Sequence, residues 1–319
     1  RINTLLKNKG ISFLYGIGTD FVNNDKVFDL PHHFFSSADE FLLKTSASDF
    51  AGKAILLKGS RKAELERISK RLETLSHQSV LKVNLSALDE NVRYFKSQLK
   101  PDTLLMGMVK ASSYGCGGSE VARQLQQSLA DYLTVAFADE GITLRNNGIT
   151  LPIMVVTLEA DALEKMQEYN LEPVVHNFAS LNLVKNLPLK VHIKADTGMH
   201  RLGFEQADLP MLIDTLKQHP NLHIASVFSH FACADSPEQD NFTALQINKF
   251  TYFADALTQA FDYKILRHIC NSTGIIRFPQ AHFDMVRLGV GMYGIGWDKA
   301  TEQHLRYVHS LETCLTEIR

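Results

Sequence analysis

The chain has 319 residues, 45% of them hydrophobic and 21% charged, with a formal net charge of -2 and both signs interspersed. Such a length buries a large core and holds more than one domain, and the ordinary composition excludes a disordered or fibrous chain. Without a basic stripe there is no partner surface for nucleic acid or anionic lipid, which leaves small molecules or a second copy of the chain as expected partners.

No apolar run reaches the roughly eighteen residues of a membrane span, and the first residues lack the basic-then-apolar pattern of a signal peptide. Cys116, Cys233, Cys270 and Cys314 show neither CxxC nor zinc-type spacing. They read as reduced thiols of a cytoplasmic protein with no metal site.

Residues 1–78 form a first block. Apolar runs at Ile11–Tyr15 and Ala54–Leu57 read as strands, and the second leads through Lys58-Gly59-Ser60-Arg61 into a helix capped by Ser60. Leu65, Ile68, Leu72 and Leu75 fall on one face of that helix. The basic turn either binds an anion at a helix N-terminus or is simply solvated. The polar stretch Thr74–Ser79 marks a boundary.

Beyond it, Val80–Leu85 alternates as a strand, and Ser86 opens a helix that buries Leu88, Val92, Phe95 and Leu99. Strand-like runs and helical patterns then take turns. The runs are Leu104–Val109, Tyr132–Phe137, Pro152–Val156, Pro173–Val175, Lys190–Ala195, His223–Phe228, Ile265–Cys270 and Phe283–Arg287, separated by helical stretches such as Glu120–Leu129 and Asn241–Ala260. Eight β-then-α units predict an α/β fold, a (β/α)8 barrel over residues 79–300, with 301–319 as a further segment.

The first barrel run is apolar on both faces, delivers Lys110 to its end and breaks into a glycine-rich loop. A lysine there is either a solvated cap or a partly desolvated amine able to condense with an aldehyde. In a barrel, polar residues at the C-terminal ends of strands converge on one mouth. Those residues are Lys110, Lys194 with Asp196, His230, Asn271 with Ser272, and Arg287.

KASSYGCG at Lys110–Gly117, KADTGMHRLG at Lys194–Gly203, SHFACAD at Ser229–Asp235, CNSTGIIRFP at Cys270–Pro279 and VRLGVGMYG at Val286–Gly294 resemble, in order, the motifs of alanine racemases. The usual lysine motif of that family is Lys-Ala-Asn-Ala-Tyr-Gly-His-Gly, and this chain departs from it at Ser112, Ser113 and Cys116. The resemblance implies that Lys110 forms a Schiff base with pyridoxal 5'-phosphate (PLP) and is one of two catalytic bases. Tyr114, Ser272, Gly289 and Val290 would hold the phosphate, with Asn271 also on the cofactor. His230 would lie against the cofactor ring, and Arg201 would contact its hydroxyl and the second base. Lys194 matches a lysine carbamylated in some relatives; a simple pair with Asp196 is the alternative.

Arg287 would face the pyridine nitrogen. A guanidinium cannot accept a proton from it, so the nitrogen stays neutral, and a carbanion at the α-carbon is less delocalised and is reprotonated there. That favours racemisation of L- and D-alanine, for peptidoglycan synthesis, over transamination.

The second base in this family is a tyrosine of the partner subunit's C-terminal β-domain. Residues 301–319 would begin that domain, most of which is missing here, so the chain is expected to racemise weakly and to need a homodimer of the longer protein. The competing reading is a non-catalytic PLP-binding barrel similar to the PLP homeostasis proteins. KADTGMHRLG, and a chain running past the barrel, count against it. A barrel-plus-sheet amino-acid decarboxylase is a third reading, whose carboxylate for the pyridine nitrogen is not found. The first block resembles the end of the C-terminal domain of Mur ligases, through a similar KGSR turn, so the order of blocks is that of a ligase–racemase fusion.

Overall fold

The computed structural model describes residues 5–7, 9–59, 63–72, 79–128 and 130–313. Leu81–Leu311 form one compact unit, and the described residues among Arg1–Val80 and Glu312–Arg319 form another.

In the first unit, β1 (Leu14–Ile17) and β2 (His32–Phe35) pair in parallel, with Leu14 opposite His32 and Ile17 opposite Phe35. Phe35, Ala38, Phe41, Phe50 and Ile68 are buried together beside them. Ser37 caps the helix Ala38–Lys44 by accepting from the Glu40 amide. The expected strand at Ile11–Tyr15 lies three residues later. Ala54–Leu57 forms no strand: it pairs with no strand among the described residues, and Leu56 is 80% exposed. Among the described residues no second layer covers its apolar side chains. The helix that follows is Leu65–Leu72; Ser60, Arg61 and Leu75 lie outside the described residues.

β3 (Val80–Val83) pairs with β12 (His309–Glu312), and in the second unit the helix Leu85–Ser97 precedes the barrel. Its cap is Asn84, whose side chain accepts from the Ala87 amide at 3.0 Å, rather than Ser86. Both residues suit a cap, but the chain turns one residue pair earlier than the polar pattern indicates.

Eight parallel strands follow among the described residues: β4 (Leu104–Met108), β5 (Tyr132–Val135), β6 (Ile153–Val155), β7 (Leu171–Val175), β8 (Lys190–Lys194), β9 (His223–Phe228), β10 (Leu266–His268) and β11 (Met285–Leu288). Their order is β10-β9-β8-β7-β6-β5-β4-β11. Two backbone hydrogen bonds close the seam, Asp284 N to Arg267 O at 3.1 Å and Arg287 N to Cys270 O at 3.0 Å. The sheet is thus a barrel, with helices between its strands, as the alternation of runs predicts.

Alternate residues on each strand point inward. Met106, Met154, Val174, Phe228 and Met285 fill the interior with Leu104, Tyr132 and Leu266 around them. The opposite faces pack on the helices in a larger core. The same parity carries Lys110, His176, Lys194 and His230 upward to the mouth and places Glu172, His192, Ser226, His268 and Arg287 inside.

Candidate active site

Lys110 begins a turn without a regular right-handed twist. Ala111, Ser112, Ser113 and Tyr114 have φ of 52, 51, 56 and 56° before Gly115 at 88°. Residues with a Cβ resist this left-handed region by roughly 1–2 kcal/mol each. Local bonds hold it nonetheless: Gly115 N donates to Ala111 O at 3.1 Å, Gly117 N to Ser112 O at 3.0 Å and Gly118 N to Ser112 Oγ at 3.1 Å. The turn leaves Lys110 half-buried, its Nζ 5.8 Å from the centre of the Tyr114 ring.

The Tyr114 ring meets Tyr293 edge-on at 5.2 Å. Its hydroxyl would lie 3.5 Å from a Cβ at Gly289, so Lys110, Tyr114 and the turn after β11 share one corner of the mouth. In that corner Ser272 Oγ accepts from Gly289 N at 3.0 Å and from Gly291 N at 3.2 Å. A Cβ at Gly291 would run into the Phe95 ring. Val290 is exposed between the two glycines. Asn271 caps the helix Ser272–Arg277 by accepting from Gly274 N at 2.9 Å, so its side chain is engaged in holding that helix start.

Arg287 is buried, and all its partners are neutral. Nη1 donates to His268 Nδ1 at 2.7 Å; Nη2 donates to Ser229 O at 2.6 Å, His230 Nδ1 at 3.0 Å and Ile269 O at 3.1 Å. Nε makes no hydrogen bond among the described residues, and the guanidinium lies 5.2 Å over the Phe228 ring. Burial lowers its pKa to about 10, which still leaves it charged.

Both imidazoles must accept from it, so both are neutral. Burial, then Arg287 and the lysines and arginine around the mouth, push His230 down to about 3. Burial and Arg287 hold His268 well below its ordinary value.

Lys194 is buried over Phe228, 5.4 Å from the ring centre; burial, Arg287 and Arg201 lower it to about 8. It forms no ion pair with Asp196, which instead accepts from Gly198 N at 2.9 Å and His200 N at 3.1 Å. Arg201 is exposed on the loop after β8 and makes no hydrogen bond among the described residues, yet it lies close enough to lower Lys194 and His230.

The structure thus gathers Lys110, Tyr114, Ser272, Gly289, Lys194, His230 and Arg287 at one mouth and leaves Arg201 at its rim. Reading the sequence missed His268, which the inward parity of the run Ile265–Cys270 places beside Arg287. It also missed Gln246, buried on the helix Asp240–Gln259, which holds His230 O at 3.0 Å and Ala232 N at 3.0 Å.

None of Lys110, Lys194, Arg201 and Arg287 is paired with a carboxylate among the described residues. Buried and half-buried cations without counter-anions, beside a serine-backed glycine turn, fit a ligand carrying negative charge. The fold and site define a parallel α/β barrel with a lysine amine and an anion cradle at its mouth.

The chain belongs to the family described as "Alanine racemase, N-terminal domain", whose pattern matches residues 83–296; members of that family depend on PLP. It is 34% identical to alanine racemase 1 of Oceanobacillus iheyensis over 244 residues, 74% of this chain and 64% of the relative. It is 37% identical to the alanine racemase of Clostridium tetani over 253 residues, again 74% and 64%. The alanine racemase structure from Clostridium difficile 630 superposes with a TM-score of 0.69 at 30% identity, covering 75% of this chain and 65% of that one. The chain therefore spans a little under two thirds of the length of these relatives.

Proposed function

We propose that this chain is the barrel part of a PLP-dependent alanine racemase, an isomerase of L- and D-alanine. The observation that carries the reading is Arg287: a buried guanidinium whose Nη1 and Nη2 are engaged by neutral acceptors, with Nε left without a protein partner. Placed against a pyridine nitrogen, such a donor gives a hydrogen bond but takes no proton.

Bound PLP would supply an aldehyde for the lysine amine and an electron-withdrawing ring that acidifies the substrate's α-proton. Lys110 would provide the attachment amine and move a proton at one face of the α-carbon. Tyr114, Ser272 and the amides of Gly289 and Val290 would bind the phosphate, which would compete with Ser272 for the Gly289 amide. Asn271 fixes the helix start beneath them. His230 would pack on the ring as a neutral imidazole, and Arg201, at the rim, would swing onto the cofactor hydroxyl. A carbamylated Lys194 would give that arginine an anion to rest on, and a lysine with a pKa of about 8 has the free amine fraction that carbamylation needs.

The second acid–base group is proposed to come from a partner subunit of a homodimer, through a C-terminal β-domain. We also propose that residues 1–78 are the tail of a Mur ligase C-terminal domain, a reading supported by the parallel β1–β2 pair and by the Lys58-Gly59-Ser60-Arg61 sequence. A cytoplasmic place in D-alanine supply for the cell wall would follow. Among the described residues no helix is long and apolar enough to cross a membrane. The competing PLP-binding barrel without catalysis has no observation in its favour beyond the shared lysine and phosphate turn.

Incubation with PLP, borohydride reduction and mapping of the adduct by mass spectrometry tests the site. Labelling at Lys110 is expected; labelling elsewhere, or none, would overturn it. Conversion of L- to D-alanine, measured for this chain and for a longer protein at equal PLP occupancy, tests the second base. Matching rates would place that base within these residues.

A further inference from the structure

A single buried chain of hydrogen bonds climbs the barrel interior from β7 to β11. Glu172 Oε2 bonds His192 Nε2 at 2.9 Å, and His192 Nδ1 bonds Ser226 Oγ at 2.6 Å. Ser226 Oγ bonds His268 Nε2 at 2.8 Å, and His268 Nδ1 bonds Arg287 Nη1 at 2.7 Å. Glu172, His192, Ser226, His268 and Arg287 are all buried.

One placement of the protons uses every donor in this chain, starting from the arginine end. Arginine only donates, so His268 Nδ1 accepts and its proton sits on Nε2, pointing at Ser226. Ser226 Oγ has two partners among the described residues. One is already a donor, and the arrangement that also uses the hydroxyl's own proton sends it to His192 Nδ1. His192 then carries its proton on Nε2 and gives it to Glu172, which ends the chain as an acceptor.

Guanidinium and carboxylate therefore close the two ends of one directed ladder, and the buried cation has its counter-charge four hydrogen bonds away rather than beside it. Arg145, a cation close enough to Glu172 to feel its charge, is occupied with the carbonyls of Ile149, Leu151, Tyr169 and Asn170.

We propose that Glu172 is a positioning residue for the cofactor ring: through His192, Ser226 and His268 it keeps His268 Nδ1 an acceptor for Arg287, and so turns the unengaged Nε–H of that arginine toward the mouth. The cofactor step rests on the reading given above; the ladder itself does not. Chains of this kind polarise one another, so the carboxylate at the base strengthens the last bond at the top. A direct carboxylate beside Arg287 would take its donors away from the ring. Relaying the charge through neutral rings leaves Nε free.

The test uses the full chain with ¹⁵N-labelled histidine, with and without PLP, in the wild type, Glu172→Gln, Ser226→Ala and the double variant. In the wild type near neutral pH, both His192 and His268 are expected as neutral rings with N–H at Nε2 and a bare Nδ1. A cationic His192 or an Nδ1–H form of either ring would overturn the ladder, whether or not any variant folds. Glu172→Gln is expected to shift the His268 Nδ1 signal and to weaken PLP binding by about 10-fold, the scale on which outer-shell partners of a bound group act.

In the Ser226→Ala background the same change should move His268 no further, because the link is cut. A purely structural Glu172 would shift His268 equally in both backgrounds, or not at all, and either result sinks the proposal. A wild type with the expected tautomers but no PLP binding would leave the ladder standing and overturn the cofactor step together with the functional reading.

Discussion

Lys110 and Arg287 face the same mouth from neighbouring strands, with Arg287 opposite Met106 across the β4–β11 pair, yet they are held in opposite ways. Around Arg287 both terminal nitrogens are engaged: five protein acceptors take their protons, and an aromatic ring covers the guanidinium's face. Lys110 stands at the start of a turn of four left-handed residues and makes no hydrogen bond with its Nζ among the described residues. One cation is fixed by partners and the other by backbone. The difference fits their proposed work, since a group that tunes a ring must not move, whereas an amine that attacks, releases and shuttles a proton must not be spoken for.

The largest effect should come from breaking the Arg287 side. Arg287→Met leaves Ser229 O, Ile269 O and the Nδ1 atoms of His230 and His268 without their donor in a buried place. A loss of about 3 kcal/mol in urea unfolding is expected, on the scale of removing one member of a buried charged network. A change under about 1 kcal/mol would mean that these bonds contribute little. Replacing Arg287 with a carboxylate should instead raise the pyruvate formed from D-alanine relative to racemisation, measured in the longer protein; an unchanged ratio would mean that the residue does not face the ring.

The two imidazoles beside Arg287 give the same side a pH signature. His230 has a folded pKa of about 3 against an ordinary 6.5, so between those values the unfolded chain takes up a proton that the folded chain refuses. Stability is therefore present above about 6.5 and is lost as pH falls, by up to about 1.4 kcal/mol per pH unit from this histidine. His268 is shifted in the same direction. Unfolding free energies measured down from pH 7 should show this slope, and His230→Gln should reduce it; an unchanged slope in that variant would place its origin elsewhere.

On the Lys110 side the expected effect on stability is small. Lys110→Met should change the unfolding free energy by less than about 0.5 kcal/mol, as for a side chain without partners, while abolishing the borohydride-trapped PLP adduct completely. A large loss of stability would show that Lys110 is held by its surroundings as Arg287 is, and the contrast would fail.

How much of this was legible differs between the two sides for a physical reason. The eight runs could be counted because buried parallel strands are apolar on both faces, and Lys110 stood out as the charge that ends one. Glu172 was read past because a run beginning at Pro173 looks complete without it; β7 in fact starts at Leu171, and its carboxylate points inward beneath Val174. Its partners lie 20 to 115 residues further along the chain, and only barrel closure brings five strands' inward residues into one line. His268 escaped for the same reason. Ala54–Leu57 misled in the other direction, because an apolar run signals a strand only where a partner strand and a second layer exist to cover it.

The smallest effect tests whether the turn after Lys110 is strained. Ala111 is exposed and has φ of 52°, so glycine there loses no packing and gains relief from a left-handed conformation that costs a Cβ-bearing residue roughly 1–2 kcal/mol. Against this, glycine gives the unfolded chain more freedom, worth about 0.4–1 kcal/mol. Ala111→Gly should therefore be neutral or stabilising by up to about 1.6 kcal/mol. Ala244, exposed within the right-handed helix Asp240–Gln259, provides the control: there glycine gains no relief and should cost about 1 kcal/mol. The sign of the difference between the two variants in urea unfolding is the measurement. Equal losses at both positions would mean that the left-handed turn is not strained at Ala111, and that Lys110 owes its position to contacts rather than to its backbone.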